Sequence, residues 1–161
     1  MHVMNLFDST SFIELMNREK YKSNFKEMSI NFGAKKLGFH IRSMDPKTFT
    51  YPYHWHTAEE EVIIIIEGEA TVRCNNEFRI VKPGDFIFYN IGAENVHQMY
   101  NHTDKLCKFL ALSNMDEIND QCFYPDSKKQ TSKDGILQDG KIVEYFKDEE
   151  DPAVYWPKER L

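Results

Sequence analysis

The sequence predicts an all-β protein, a closed barrel or sandwich. Two observations carry that expectation. Between residues 37 and 112, short runs rich in β-branched and aromatic side chains recur at regular spacing, separated by Gly, Pro, Asn and Asp turn signals. No stretch of 10–15 residues with helical periodicity interrupts them, as alternating strand–helix units would require. At 161 residues the chain fits one domain with a substantial core.

Residues 1–36 read as a lead-in arm, polar over 19–26 and suited to wrapping over the main body or a second subunit. Ser11 and Glu14 stand in capping-box spacing ahead of Leu15 and Met16, which predicts a short helix there. Residues 37–44 alternate weakly as a strand, and Asp45-Pro46-Lys47 turns the chain. Residues 49–56 form an extended run that Pro52 places at an edge or bend. Residues 62–66, Val-Ile-Ile-Ile-Ile, are apolar on both faces and so predict a strand covered on both sides. Glu67-Gly68-Glu69 and Asn75-Asn76 then frame strands at 70–74 and 78–81. Pro83-Gly84-Asp85 leads into the aromatic strand 86–89, residues 92–95 form a loop, and strands follow at 96–100 and 108–112. These runs define a barrel over 37–113. Residues 114–161 form a C-terminal extension: 125–135 reads as a loop, and Asp139-Gly140 between two apolar runs predicts a hairpin. Tyr155 and Trp156 on an acidic tail predict that the tail docks.

Composition excludes several function classes. The formal net charge is −6, and no basic stripe rescues a nucleic-acid partner. The longest unbroken apolar run ends after five residues, too short to span a bilayer, and the N-terminus lacks a secretory pattern. Cys74, Cys107 and Cys122 are odd in number and widely spaced, which suits reduced thiols in a cytoplasm.

The chemistry concentrates in residues 51–68, which read Tyr-Pro-Tyr-His-Trp-His-Thr-Ala-Glu-Glu-Glu before the apolar run and Glu67-Gly68. On an extended strand, side chains two apart share a face, so His54 and His56 point the same way. Two imidazoles and a carboxylate converging from neighbouring strands suit a divalent metal. His2, His40 and His102, standing alone, read as surface or core residues. The acidic run 148–151 reads as a solvated segment. No Ser or Cys stands beside one of these histidines in a nucleophile setting.

In their order and spacing these residues resemble the cupin family. Its first motif matches His54, His56, Glu61 and Gly68, and its second matches Gly84, Gly92, His97 and Asn101. Thr48 and Asn90 replace a Gly and a Pro of the pattern, and the loop before His97 is longer than usual. Pro52-Tyr53-His54, Tyr124-Pro125-Asp126-Ser127 and the aromatic acidic tail are similar to a subgroup of small, single-domain bacterial cupins.

The resemblance implies a double-stranded β-helix, or jelly-roll barrel, with a metal near one mouth. His54, His56, Glu61 and His97 would be its ligands, with Fe, Mn, Ni or Zn all compatible. Glu61 is preferred over Glu60 because it alone keeps six residues before Gly68. Three neutral imidazoles and one carboxylate would leave a divalent ion at about +1, favouring an anionic or enolisable small molecule. Glu59 is the candidate partner for an imidazole N–H, and Glu59 and Tyr100 are the candidate proton carriers. The expectation is a cytoplasmic, homodimeric, metal-dependent enzyme acting on a small organic acid or related metabolite. The alternative is a non-catalytic barrel that binds or senses a small molecule. Neither involves nucleic acid or membrane.

Overall fold

The computed structural model describes residues 1–7, 12–116 and 118–161. Its strands, in chain order, are β1 Ile13–Arg18, β2 Tyr21–Glu27, β3 Leu37–Met44, β4 Trp55–His56, β5 Glu61–Glu67, β6 Ala70–Cys74 and β7 Glu77–Val81. Then come β8 Phe86–Tyr89, β9 His97–Tyr100, β10 Cys107–Asn114, β11 Cys122–Tyr124, β12 Lys129–Ser132, β13 Gly135–Gln138 and β14 Lys141–Val143. Only short 3₁₀ turns join them among the described residues, none long enough to cross a membrane as a helix.

The strands form a six-stranded sheet ordered β1-β2-β3-β10-β5-β8, a three-stranded sheet β7-β6-β9, and a five-stranded sheet β14-β13-β12-β11-β4. All the pairings are antiparallel. The first two sheets face each other across a core of Met44, Ile63, Ile65, Val72, Val81, Tyr89, Met99 and Phe109. Side-chain alternation explains this choice: Ile63 and Ile65 point inward from β5, as Phe109 does from β10. Gly68 closes the β5–β6 turn at φ +75°, and a Cβ there would meet the Leu106 carbonyl oxygen at 2.2 Å. Both the left-handed conformation and the close approach therefore demand glycine.

Three sequence expectations need correction. Glu14 lies in a strand, because residues 13–18 pair with β2 as a hairpin instead of coiling; Ser11 lies outside the described residues. Residues 19–26 do not merely wrap: β2 adds to the edge of β3, burying Tyr21 and Ser23 while Lys22 stays exposed. Alternation, invisible to a tally of polar residues, decides this. The expected loop 125–135 contains β12, whose polar side chains suit a strand flanked by β11 and β13.

The expected cover over both faces of residues 62–66 holds for one face within the chain. Val62 and Ile64 project outward, next to Phe86 and Phe88, which are 63% and 51% exposed. The Asp139-Gly140 hairpin forms as expected, with φ of 49° and 75° at the two turn residues. The aromatic tail also docks. Trp156 packs with Tyr21, Phe49, Tyr100 and Phe146 in a second buried cluster, and its Nε1 donates to Gln98 Oε1 at 2.7 Å.

Candidate metal centre

Three elements converge on one point. The segment leading into β4 carries His54 and His56, the start of β5 carries Glu61, and the start of β9 carries His97. Reciprocal backbone hydrogen bonds between His54 and His97, 3.1 and 2.8 Å long, lock the two segments side by side. The donor atoms of His54, Glu61 and His97 all lie within 4.8 Å of one another. His56 Nε2 stands 3.8 Å from Glu61 Oε2 and joins the group from the open side.

The second nitrogen of each imidazole settles what the group can bind. His54 Nδ1 lies 2.9 Å from the Pro52 carbonyl oxygen, and His97 Nδ1 lies 2.9 Å from that of Asn95. His56 Nδ1 lies 2.6 Å from Asp120 Oδ2. Carbonyl and carboxylate oxygens only accept, so each Nδ1 donates, and each neutral ring keeps its Nε2 lone pair for the centre. Glu61 Oε2 is buried there without a hydrogen-bond partner; His97 Nε2 is 3.0 Å away but off the line of a hydrogen bond. Lone pairs facing one another out of water are repulsive unless a cation sits among them, so the donor set suits a divalent ion.

The charges agree with that geometry. Burial pushes His54 down to about 3, with His97 adding to the effect, so the ring stays neutral. Burial alone would raise the Glu61 carboxyl, but contact with His97, and the positive charge the imidazoles gain when acid protonates them, outweigh it and hold Glu61 at about 2. Glu59 moves the other way: burial lifts its carboxyl above the usual range. The Tyr89 ring lies flat on His97 at 3.6 Å between centroids and fixes its plane.

The site forms the floor of a cavity of about 600 Å³ lined by His54, His56, Glu59 and Glu61 from the barrel side. Its opposite wall comes from the C-terminal extension, with Asp120, Cys122, Tyr124 and Tyr145, and Tyr51 closes one side. The sequence-predicted residues therefore divide. His54, His56, Glu61 and His97 come together, and Glu59 lines the same cavity. Tyr100 sits apart, stacked on Phe49 at 4.5 Å within the second aromatic cluster. The role foreseen for Glu59 as an imidazole's partner falls to Asp120, which also accepts from the Ala58 and Glu59 amides at 2.8 and 3.2 Å.

Sequence reasoning missed Asp120, Cys122 and the three phenols. The signal lay in the alternation Cys122-Phe123-Tyr124. Strand β11 pairs with β4, setting Cys122 against His56 and Phe123 against Trp55. Phe123 then stacks on Trp55 at 4.6 Å on one face, while Cys122 and Tyr124 turn to the other, over the imidazoles.

Comparison with known proteins places this architecture. Residues 40–113 match the family model described as Cupin domain. A sugar phosphate isomerase of the cupin superfamily from Silicibacter pomeroyi superposes with a TM-score of 0.71 at 19% identity, covering 85% of this chain and 94% of that one. The polyketide cyclase RemF from Streptomyces resistomycificus gives 0.58 at 20% identity over 71% and 81% of the two chains. A predicted oxalate decarboxylase from Thermotoga maritima gives 0.56 at 21% identity over 65% and 91%. Such identities speak for the fold alone, and no curated protein matches the sequence. Motif, topology and family match agree on residues 40–113, which form a cupin domain.

Proposed function

We propose that this cupin is a metal-dependent enzyme acting on a small organic acid or related metabolite. The observation that carries the proposal is the set of three pinned imidazoles around a buried, unpartnered carboxylate oxygen at the floor of a ligand-sized cavity. His54, His56, Glu61 and His97 would hold the ion, and by ligand type iron, manganese, nickel and zinc are all compatible. When bound, the metal supplies Lewis-acid polarisation of a chelating oxygen, or dioxygen chemistry if it is iron.

The chain's own groups supply the rest. Glu61 and Glu59 are two carboxylates driven apart by their surroundings, one held ionised and the other raised toward neutrality. That division assigns Glu61 to the ion and Glu59 to moving a proton at its carboxyl oxygen. Tyr51, Tyr124 and Tyr145 give the cavity hydroxyl donors on aromatic walls, the place that Tyr100 does not occupy. Related folds bear the names of an isomerase, a decarboxylase and a cyclase, all reactions in which a proton moves next to a polarised carbon–oxygen centre.

The same proposal includes a cytoplasmic homodimer. Two apolar rows cross the outer face of the six-stranded sheet, Phe88–Val62–Leu112–Phe39 and Phe86–Ile64–Leu110, each built from directly paired residues, the second ending on the buried Ile41. An apolar face of this kind on a soluble fold calls for a partner surface, and a monodisperse monomer at micromolar concentration would contradict the dimer.

Mass spectrometry of what co-purifies with the chain, alongside turnover assays on that molecule, tests the function. Turnover that disappears in Glu59→Gln while metal content stays whole is the expected result. A tightly held metabolite that is never turned over would establish a binding or sensing barrel instead.

A further inference from the structure

The cavity holds a fifth donor that lies beyond the cupin domain. Cys122 stands directly across from His56, and its sulfur lies with His54 and His56 in a group whose donor atoms are all within 4.8 Å of one another. His54 belongs both to this group and to the one with Glu61 and His97. The other two thiols are placed differently: Cys107 is buried in the barrel core, and Cys74 packs against that core's edge. A buried cysteine ordinarily acts as a small apolar residue. Cys122 instead has two imidazoles beside it and the Tyr124 phenol two positions along the same face, and its thiol lines the cavity.

A second feature of the site points to a ligand at this place. The Nδ1 atoms of His54 and His56 are both occupied, so their free Nε2 lone pairs face the cavity that Cys122 lines. Across the site, Glu61 Oε2 is buried without a hydrogen-bond partner. Two donor triples thus meet at His54, one with the Cys122 sulfur from the extension and one with the Glu61 carboxylate and His97 from the barrel.

We propose that Cys122 is an additional ligand of the metal centre, binding the ion as a thiolate from the side of the C-terminal extension. The inference rests on the metal-centre proposal above. As the sulfur–metal bond forms, the thiol proton leaves to solvent, since a coordinating thiol is deprotonated outright. A thiolate is a soft donor, and its presence biases the centre toward zinc, iron, cobalt or nickel and away from manganese and magnesium. It also ties the extension to the barrel through the ion, so that metal loading orders the cavity wall.

Cobalt(II) added to the metal-stripped full chain reads this directly. The expected result is one cobalt per chain with a sulfur-to-cobalt charge-transfer band in the near ultraviolet. Cys122→Ser should lose the band and keep the cobalt, while Cys74→Ser should keep both. Cobalt bound without the band in the unaltered protein overturns the inference and leaves the metal centre standing. No cobalt bound at all overturns both. Should Cys122→Ser fail to fold, alkylation of the unaltered protein with iodoacetamide, mapped peptide by peptide, decides the matter. Cobalt should protect Cys122, and equal labelling with and without cobalt contradicts its ligation.

Discussion

The barrel and the C-terminal extension build opposite walls of the same cavity by different means. The barrel contributes His54, His56, Glu61 and His97 from rigid, mutually hydrogen-bonded strands, and any chain that keeps that spacing on this fold can make such a cage. The extension contributes Asp120, Cys122, Tyr124 and Tyr145 from a small sheet added at the barrel mouth. It attaches through β11 on β4, through the two hydrogen bonds from Arg73 to Asp126, and through Trp156 on Gln98. On the function proposed above, the difference separates two tasks: the barrel would supply most of the metal's ligands, and the extension would shape what else reaches it.

The most drastic way to break that division is to remove a barrel imidazole. His54→Ala should bring metal content, read by elemental analysis, from about one ion per chain to near zero. His54 is shared by both donor groups, so its loss takes a ligand from each.

Next in size is the tail. Trp156→Ala empties a buried aromatic site and strands Gln98 Oε1, and should cost about 3–5 kcal/mol in denaturant unfolding. Gln98 also donates to the Tyr51 carbonyl oxygen at 2.7 Å, so ligand affinity should weaken as well while metal content survives. A change of under about 1 kcal/mol would show that the tail is not part of the folded unit.

Asp120→Ala should be milder. It removes the acceptor that orients His56 and should lower metal affinity by roughly 10–100-fold without abolishing binding. Unchanged affinity would mean that the extension does not reach the metal at all.

Acid gives the finest discrimination. His54 is held neutral down to about 3, below its ordinary 6.5, so the unfolded chain binds that proton first and stability falls as pH drops from about 6.5. Glu61, held at about 2 against an ordinary 4.5, gives stability that is lost as pH falls from about 4.5 through 2. Both act in the same direction. The urea midpoint of the metal-free chain should therefore decline steadily on acidification, and a flat profile from pH 7 to 5 would contradict the neutral, buried His54.

Much of the barrel was legible because alternation and turn chemistry act locally. The strands at 37–44, 70–74 and 86–89 fall where period-two patterning puts them, and the positive φ of the β5–β6 turn calls for Gly68 locally. The convergence of His54, His56, Glu61 and His97 was legible through spacing. The extension was not, because its logic is non-local. Nothing near Asp120 in the sequence says that it will meet His56, and β12 is a strand only because β11 and β13 flank it. Tyr100 shows the same limit from the other side. Period two places it on the opposite face from Met99, but only Trp156, far along the chain, reveals that this face is a second core.

On this account three imidazoles and one carboxylate of the barrel hold a single divalent ion. Titrating the metal-stripped full chain with zinc by calorimetry tests it most directly. One saturable site per chain, accompanied by proton release and absent from His54→Ala, is the predicted result. No saturable binding, or undiminished binding in that variant, would contradict it.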